Sequence, residues 1–151
     1  MTRRGETSAG RCRAAGLADI PALVALMAEF YAESGFPLAT APATRAFARL
    51  IGDPALGAVW LIEADGEPAG YVVLTVCYAM EYGGLRGFVD DLFVRSPFRG
   101  RGLGGEAMAE LRRAAEARGV RAPRVQLSSP WAASQAREPP SWVSRPPSPP
   151  W

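Results

Sequence analysis

A chain of 151 residues, 48% hydrophobic and 21% charged, has the size and balance of one soluble globular domain with a single core. Its formal net charge of +2 is too small, and its basic residues are too scattered, for a nucleic-acid-reading surface, so no nucleic-acid partner is expected. Every basic residue is Arg, with Lys, Asn and His all absent, which excludes Ser-His-Asp and Cys-His catalysis, histidine metal ligands, a Walker-type phosphate lysine and Schiff-base chemistry. Two cysteines, Cys12 and Cys77, are too few for a disulfide framework or a four-thiolate metal site, so no metal is expected. Both lie in apolar, strand-like contexts and read as small buried hydrophobes of a reducing compartment. The first residues lack the apolar core of a signal peptide. No segment approaches the roughly 20 apolar residues that span a bilayer, so a cytoplasmic location without membrane association is expected.

In chain order, residues 1 to 8 read as a flexible start, and Arg11 to Ala14 as a short first strand. A helix then opens near Asp19, a candidate N-cap, with Ile20, Leu23, Val24, Met27 and Tyr31 at amphipathic spacing and Pro21 tolerated in the first turn. It ends at Gly35. A second helix is predicted over Thr44 to Ile51, closed by the Gly52, Asp53, Pro54 turn. The stretch AVWLIEADGEPAGYVVLTVCYAM reads as a hairpin turning at Asp65-Gly66, with Trp60 and Tyr71 in adjacent strands. After Gly83-Gly84, a third long strand runs from Gly87 to Val94. A helix opens within Gly100 to Gly105 and runs to about Arg118, with Leu103, Ala107, Leu111 and Ala114 on its sheet-facing side. Ala122 to Leu127 reads as one more strand, parallel to its predecessor if both share a sheet. From Ser128 the text is dense in Pro, Ser, Arg and Trp without periodicity. Residues 128 to 151 read as a disordered tail whose PPSPP run has polyproline character.

The chemistry concentrates in FVDDLFVRSPFRGRGLGGEAMAEL. A strand, a loop and glycines at the mouth of a helix turn backbone N–H groups toward one point, where a pyrophosphate can sit without any Lys. Gly100, Gly102 and Gly105 formally match the dinucleotide fingerprint. That fingerprint also needs a turn directly off the strand and an acid about 20 positions on, and neither is present.

Arg99-Gly100-Arg101-Gly102-Leu103-Gly104 instead resembles the R/Q-x-x-G-x-G/A signature of the GNAT (Gcn5-related) N-acetyltransferases, behind a strand ending Leu92-Phe93-Val94. RAAGLADIPALVALM and EPAGYVVLT resemble the family's first strand and helix and its third strand, so the resemblance covers about residues 9 to 127. It implies an α/β fold, a mixed central sheet flanked by helices, with acetyl-CoA as co-substrate. Leu92, Phe93 and Val94 would line the pantetheine arm with backbone groups, one N–H facing the developing oxyanion. Arg99, Gly100, Arg101, Gly102, Leu103, Gly104 and Gly105 would hold the diphosphate. The acceptor would be a small, cationic primary amine that attacks the thioester directly. Asp90-Asp91 is similar to the acidic pair of the polyamine and thialysine branch, which gives Asp90 a role as base through water and Asp91 a structural one. Adjacent strand residues face opposite sides, so one of the two is expected in the cleft. A salt bridge to Arg13 or Arg86 is the plainer alternative. Glu81 and Tyr82 are further candidates for the amine site. Glu29 and Glu33, beside Tyr31, line either the acceptor entrance or a solvated helix face. The family's later Asn, helix with Tyr, and Gly-Phe turn with two strands have no counterpart. The core is therefore expected to be incomplete, with an exposed sheet edge open to homodimerisation. A shifted frame or truncated product is expected, and a non-catalytic acyl-CoA-binding protein without the general acid is the alternative function.

Overall fold

A computed structural model describes residues 10–81, 83–120, 125–127 and 140–144. The first strand, β1 (Arg11–Ala14), is followed by a 3-10 turn over Leu17–Asp19 and helix α1 (Ile20–Glu33). Asp19 does not cap α1 through its side chain. Its carboxylate accepts the Gly16 N–H at 2.8 Å and two Arg13 N–H groups at 2.8 and 2.9 Å, which hold it below the ordinary carboxylate range, the Arg13 bonds first. Helix α2 (Thr40–Gly52) begins at Thr40 instead of Thr44. The earlier start carries Pro42 into the first turn, where its missing N–H costs no hydrogen bond.

Strands β2 (Gly57–Ala64) and β3 (Glu67–Ala79) form the expected hairpin. Its turn residues Asp65 and Gly66 have φ of 54° and 79°, the left-handed pair that a two-residue turn demands. Strand β4 (Gly84–Val94) starts at Gly84, ahead of the Gly87 expected, because its pairing with β3 continues down to Ala79. A 3-10 turn over Ser96–Phe98 leads to helix α3 (Leu103–Ala117). β5 (Val125–Leu127) then pairs parallel with β4, as the strand-helix-strand reading requires.

Six strands line up in the order β1 to β6, antiparallel through β4 and parallel after it. The sixth, β6 (Val143–Ser144), lies in the stretch read as a disordered tail. Val143 is buried with the core and Trp142 packs at its edge beneath the Arg112 guanidinium. The rest of that tail, residues 128–139 and 145–151, lies outside the described residues, as do residues 1–9 and 121–124. Among the described residues no helix follows β5.

The sheet carries a core on each face. α3 buries Leu103, Ala107, Met108, Leu111 and Ala115 against Trp60, Ile62, Val72, Leu74, Val89 and Leu92. Ala115 takes the inner position expected of Ala114, which sits at the margin. On the opposite face α1 and α2 cover Val59, Leu61, Tyr71, Val73 and Phe93. The stripe of α1 is wider than its spacing suggests: Leu26 and Phe30 are buried, and Met27 and Tyr31 are half-buried. Phe30 stacks on Phe93 with centroids 5.2 Å apart and meets Tyr71 edge-on at 6.4 Å. Cys12 is half-buried, its thiol pushed up to about 12 chiefly by burial. Cys77 is exposed, contrary to the buried role expected, because it stands near the free end of the β3–β4 hairpin.

Register between β3 and β4 depends on Gly70, where an added Cβ would lie 2.1 Å from the Phe93 carbonyl oxygen. Gly70→Ala is therefore expected to cost about 1 to 3 kcal/mol, typical of overpacking, in urea unfolding. An unchanged midpoint would show that the two strands part without penalty.

Candidate active site

Among the described residues the end of β4 is open on one side. β5 pairs with β4 only from Gly87 to Val89, and among the described residues no strand accompanies Asp90 to Val94 on that edge. The backbone of Leu92, Phe93 and Val94 is thus placed where an extended ligand can lie along it. Just beyond, Gly100 and Gly102 have φ of 81° and 80°, and α3 begins at Leu103. Its first intrahelical bond is donated by Glu106 to the Gly102 carbonyl at 3.2 Å, so the amides ahead of it point out of the helix end.

The glycines of this loop are not explained by internal packing. A Cβ on Gly100, Gly102 or Gly105 would meet no protein atom within 4 Å, and one on Gly104 would only touch Val94. Positive φ accounts for Gly100 and Gly102. Gly104 and Gly105 lie inside a helix where Ala would be more favourable, and the chain itself gives no reason for their small size. An anion seated against the helix end supplies one, because a Cβ would fill the space it needs. These residues therefore fit the diphosphate of acetyl-CoA.

The arginines of the loop are engaged elsewhere. Arg101 grips Asp65 of the β2–β3 turn through two N–H groups at 2.9 and 3.0 Å. Arg99 donates from Nε to the Val94 carbonyl at 2.7 Å and from Nη2 to Glu33 at 2.8 Å. Arg95, just before them, bonds Glu29 at 2.9 Å and Glu67 at 3.1 Å. The face offered to a diphosphate is consequently main chain and helix end, more than side-chain charge.

The two aspartates correct the sequence expectation. Val73 of β3 pairs with Asp91 and Leu74 with Val89, so Asp90 is an extra residue in β4. Val89 and Leu92 both belong to the α3-side core, which leaves Asp90 and Asp91 together on the α1 face instead of on opposite faces. The electrostatics agree: burial raises the Tyr31 hydroxyl above its ordinary value, and the charges of Asp91 and Asp90 add to that. Asp90 is exposed. Asp91 is half-buried and accepts a hydrogen bond from the Tyr71 hydroxyl at 2.9 Å. Its carboxyl is pushed up to about 6 by burial, against the Tyr71 bond and with the help of Asp90. Tyr71, fully buried, is itself raised, mainly by burial and then by Asp91. The Arg13 partner proposed for an aspartate goes instead to Asp19 and Glu63, and Arg86 lies 3.6 Å from Glu81 and bonds Gln126.

Glu81 is exposed on the β3–β4 connection beside that arginine. Tyr82 lies outside the described residues. Glu29 and Glu33 are neither free nor merely solvated: with Phe93, Arg95 and Pro97 they line a cleft of about 400 Å³ between α1 and the end of β4. Tyr71 was singled out only as a strand residue. It lies two residues from Val73, the partner of Asp91, on the same α1 face, and that placement brings its hydroxyl to Asp91.

A mixed sheet whose fourth strand outruns its parallel neighbour among the described residues, and a helix end built from glycine amides, define an α/β fold with room for a phosphate-bearing ligand beside an acidic pair. The model of the acetyltransferase (GNAT) family matches residues 22–133, and the chain belongs to that family, whose members use acetyl-CoA. An integron cassette protein from the mobile metagenome of Cole Harbour Salt Marsh is 45% identical, with 86% of this chain and 84% of that one covered and a TM-score of 0.75. A predicted acetyltransferase from Clostridium acetobutylicum, solved with acetyl-CoA, shares the fold at 16% identity, with 90% and 95% covered and a TM-score of 0.71. An acetyltransferase described as putative in its own source, Arthrobacter sp. FB24, is 24% identical, with 84% and 79% covered and a TM-score of 0.67. No curated protein matches the chain.

The position of Asp91 has a measurable consequence. Its carboxyl titrates near 6 in the folded chain and near the ordinary 3.8 when unfolded, so the folded state holds more protons between those values and stability falls as pH rises through that window. The full difference corresponds to about 3 kcal/mol. Asp91→Asn removes the titration while keeping an acceptor for Tyr71. Relative to the unmodified protein its stability is expected to rise by up to about 3 kcal/mol between pH 4 and pH 7, measured by urea unfolding. Parallel pH curves would show that the carboxyl titrates as an ordinary one.

Proposed function

We propose that the protein transfers the acetyl group of acetyl-CoA to a primary amine of a small cationic acceptor. The observation that carries this reading is the pair Asp90-Asp91 on one face of β4, at the point where the strand's other edge falls open. Leu92 to Val94 line the pantetheine arm, and the amides between Arg99 and Gly105 hold the diphosphate. Acetyl-CoA supplies the acyl group as a thioester open to direct attack, so no nucleophilic side chain and no histidine are needed.

The chain's own groups then have separable tasks. Exposed Asp90 holds the ammonium form of the acceptor, and two neighbouring carboxylates favour a cation over a neutral or anionic substrate. The thioester C–S bond breaks as the amide C–N bond forms, coenzyme A departs as a thiolate that solvent protonates, and Asp91 receives the amine's proton. The family resemblance gives that step to Asp90, but a carboxyl at about 6 is better matched to a base working near neutral pH. Tyr71 orients Asp91 from below. Glu81 and Tyr82 remain candidates for contacting the acceptor from the β3–β4 connection.

Two measurements test the reading. Gly105→Val places a side chain in open space, so it should fold normally yet weaken acetyl-CoA binding in calorimetry by about tenfold or more, the loss of an anion's close approach to the helix end. On a panel of small amines and diamines, Asp91→Asn should lower kcat/KM by about 10²-fold or more and flatten its rise with pH near 6. Acetyl-CoA binding without turnover on any amine would replace the enzyme with an acyl-CoA-binding protein, and no binding at all would remove both.

A further inference from the structure

Two ion pairs join α1 to the segment between β4 and α3, and they are not equivalent. Glu29 and Glu33 stand one helical turn apart, and so in sequence spacing do their partners Arg95 and Arg99. Arg95 is anchored independently of α1. Its side chain also reaches Glu67 at 3.1 Å and the Pro68 carbonyl at 3.3 Å, and its amide donates to the Ala69 carbonyl at 2.7 Å. Arg99 has a different set of contacts. One terminal nitrogen lies 2.8 Å from both Glu33 oxygens, Nε bonds the Val94 carbonyl, and the guanidinium carbon is 5.8 Å from the centre of the Phe93 ring.

We propose that Glu33 is a positioning residue for the cofactor: by holding Arg99 across Phe93 and Val94, it fixes the loop from Gly100 onward relative to the end of β4. The inference rests on reading that loop as the diphosphate site. Both side chains are about two-fifths exposed, 42% for Arg99 and 37% for Glu33, and ion pairs so placed contribute little to global stability. Their effect is local. The next residues include Gly100 and Gly102, each at positive φ with open space where a side chain would lie, on either side of Arg101, which Asp65 holds from the β2–β3 turn. A loop of this kind samples many conformations unless its flank is held, and each must be ordered when a ligand binds. Arg99 is that flank, joining the strand that would carry the pantetheine to the loop that would carry the diphosphate. Glu33 sets the direction of its side chain.

The test compares Glu33→Gln, Arg99→Gln, the double variant and Glu33→Asp for acetyl-CoA binding by calorimetry and for steady-state kinetics. Glu33→Gln is expected to raise the acetyl-CoA Kd and KM about three- to fivefold, with kcat at saturation and the amine KM unchanged. Glu33→Asp should recover part of the loss. The double variant should be no worse than the weaker single one, because both remove the same tie. An unchanged acetyl-CoA Kd in Glu33→Gln, an effect on the amine KM instead, or additive losses would overturn the proposal while leaving the cofactor reading intact. Failure of the unmodified protein to bind acetyl-CoA would overturn both.

Discussion

A single extra residue in β4 sets the geometry on which the acidic site depends. Without Asp90 in excess, alternation along the strand would send one aspartate toward α3 and the other toward α1. With it, Val89 and Leu92 keep their places in one core while both carboxylates fall on the other side. Among the described residues β5 accompanies β4 only as far as Val89, next to the extra residue. An extra residue locally bends a strand and increases its twist. A ligand laid along the free edge of Leu92 to Val94 would then end beside the two acids.

The absence of lysine gives the loop between β4 and α3 its character. Three arginines lie within or just before it, and each is drawn toward carboxylates on other elements: Arg95 to α1 and β3, Arg99 to α1, Arg101 to the β2–β3 turn. These pairs fasten the loop to three parts of the fold. They also neutralise much of its positive charge, so an incoming anion meets oriented amides first. Amides at a helix end are fixed in direction and carry no rotamer entropy, whereas a flexible cation would have to be ordered on binding. A rigid frame of side-chain pairs around a glycine backbone is consistent with that division of labour.

Features carried by neighbouring residues were legible in the sequence. Asp65-Gly66 marked the hairpin, the spacing from Ile20 to Tyr31 marked α1, and the glycines after Arg99 marked the start of α3. Features set by partners far along the chain were not. Nothing near Asp90 announces an extra residue, since it arises from how β4 pairs with Val73 and Leu74. Glu29 and Glu33 read as either an acceptor entrance or a solvated face, because their arginines are remote in sequence. Cys77 read as buried because the apolar run around it does not reveal where a hairpin leaves the helices. Pro140 to Ser144 have no strand periodicity, and Val143 is placed by one neighbour, β5.

Asp91 is the position at which stability and chemistry disagree. It lies at the margin of an aromatic cluster containing Phe30, Tyr71 and Phe93, a setting that disfavours charge and raises its pKa. One account is that it only serves the Tyr71 hydroxyl, which is buried and needs a partner. That account is circular, because Phe at 71 and Leu at 91 would remove the hydroxyl and the carboxylate together and leave a core with no polar demand. The half-buried acid and the buried hydroxyl are thus a polar contact that the two cores do not require. Tyr71 holds the Asp91 carboxyl beside Asp90 on the α1 face, where β4 runs past its described pairing with β5.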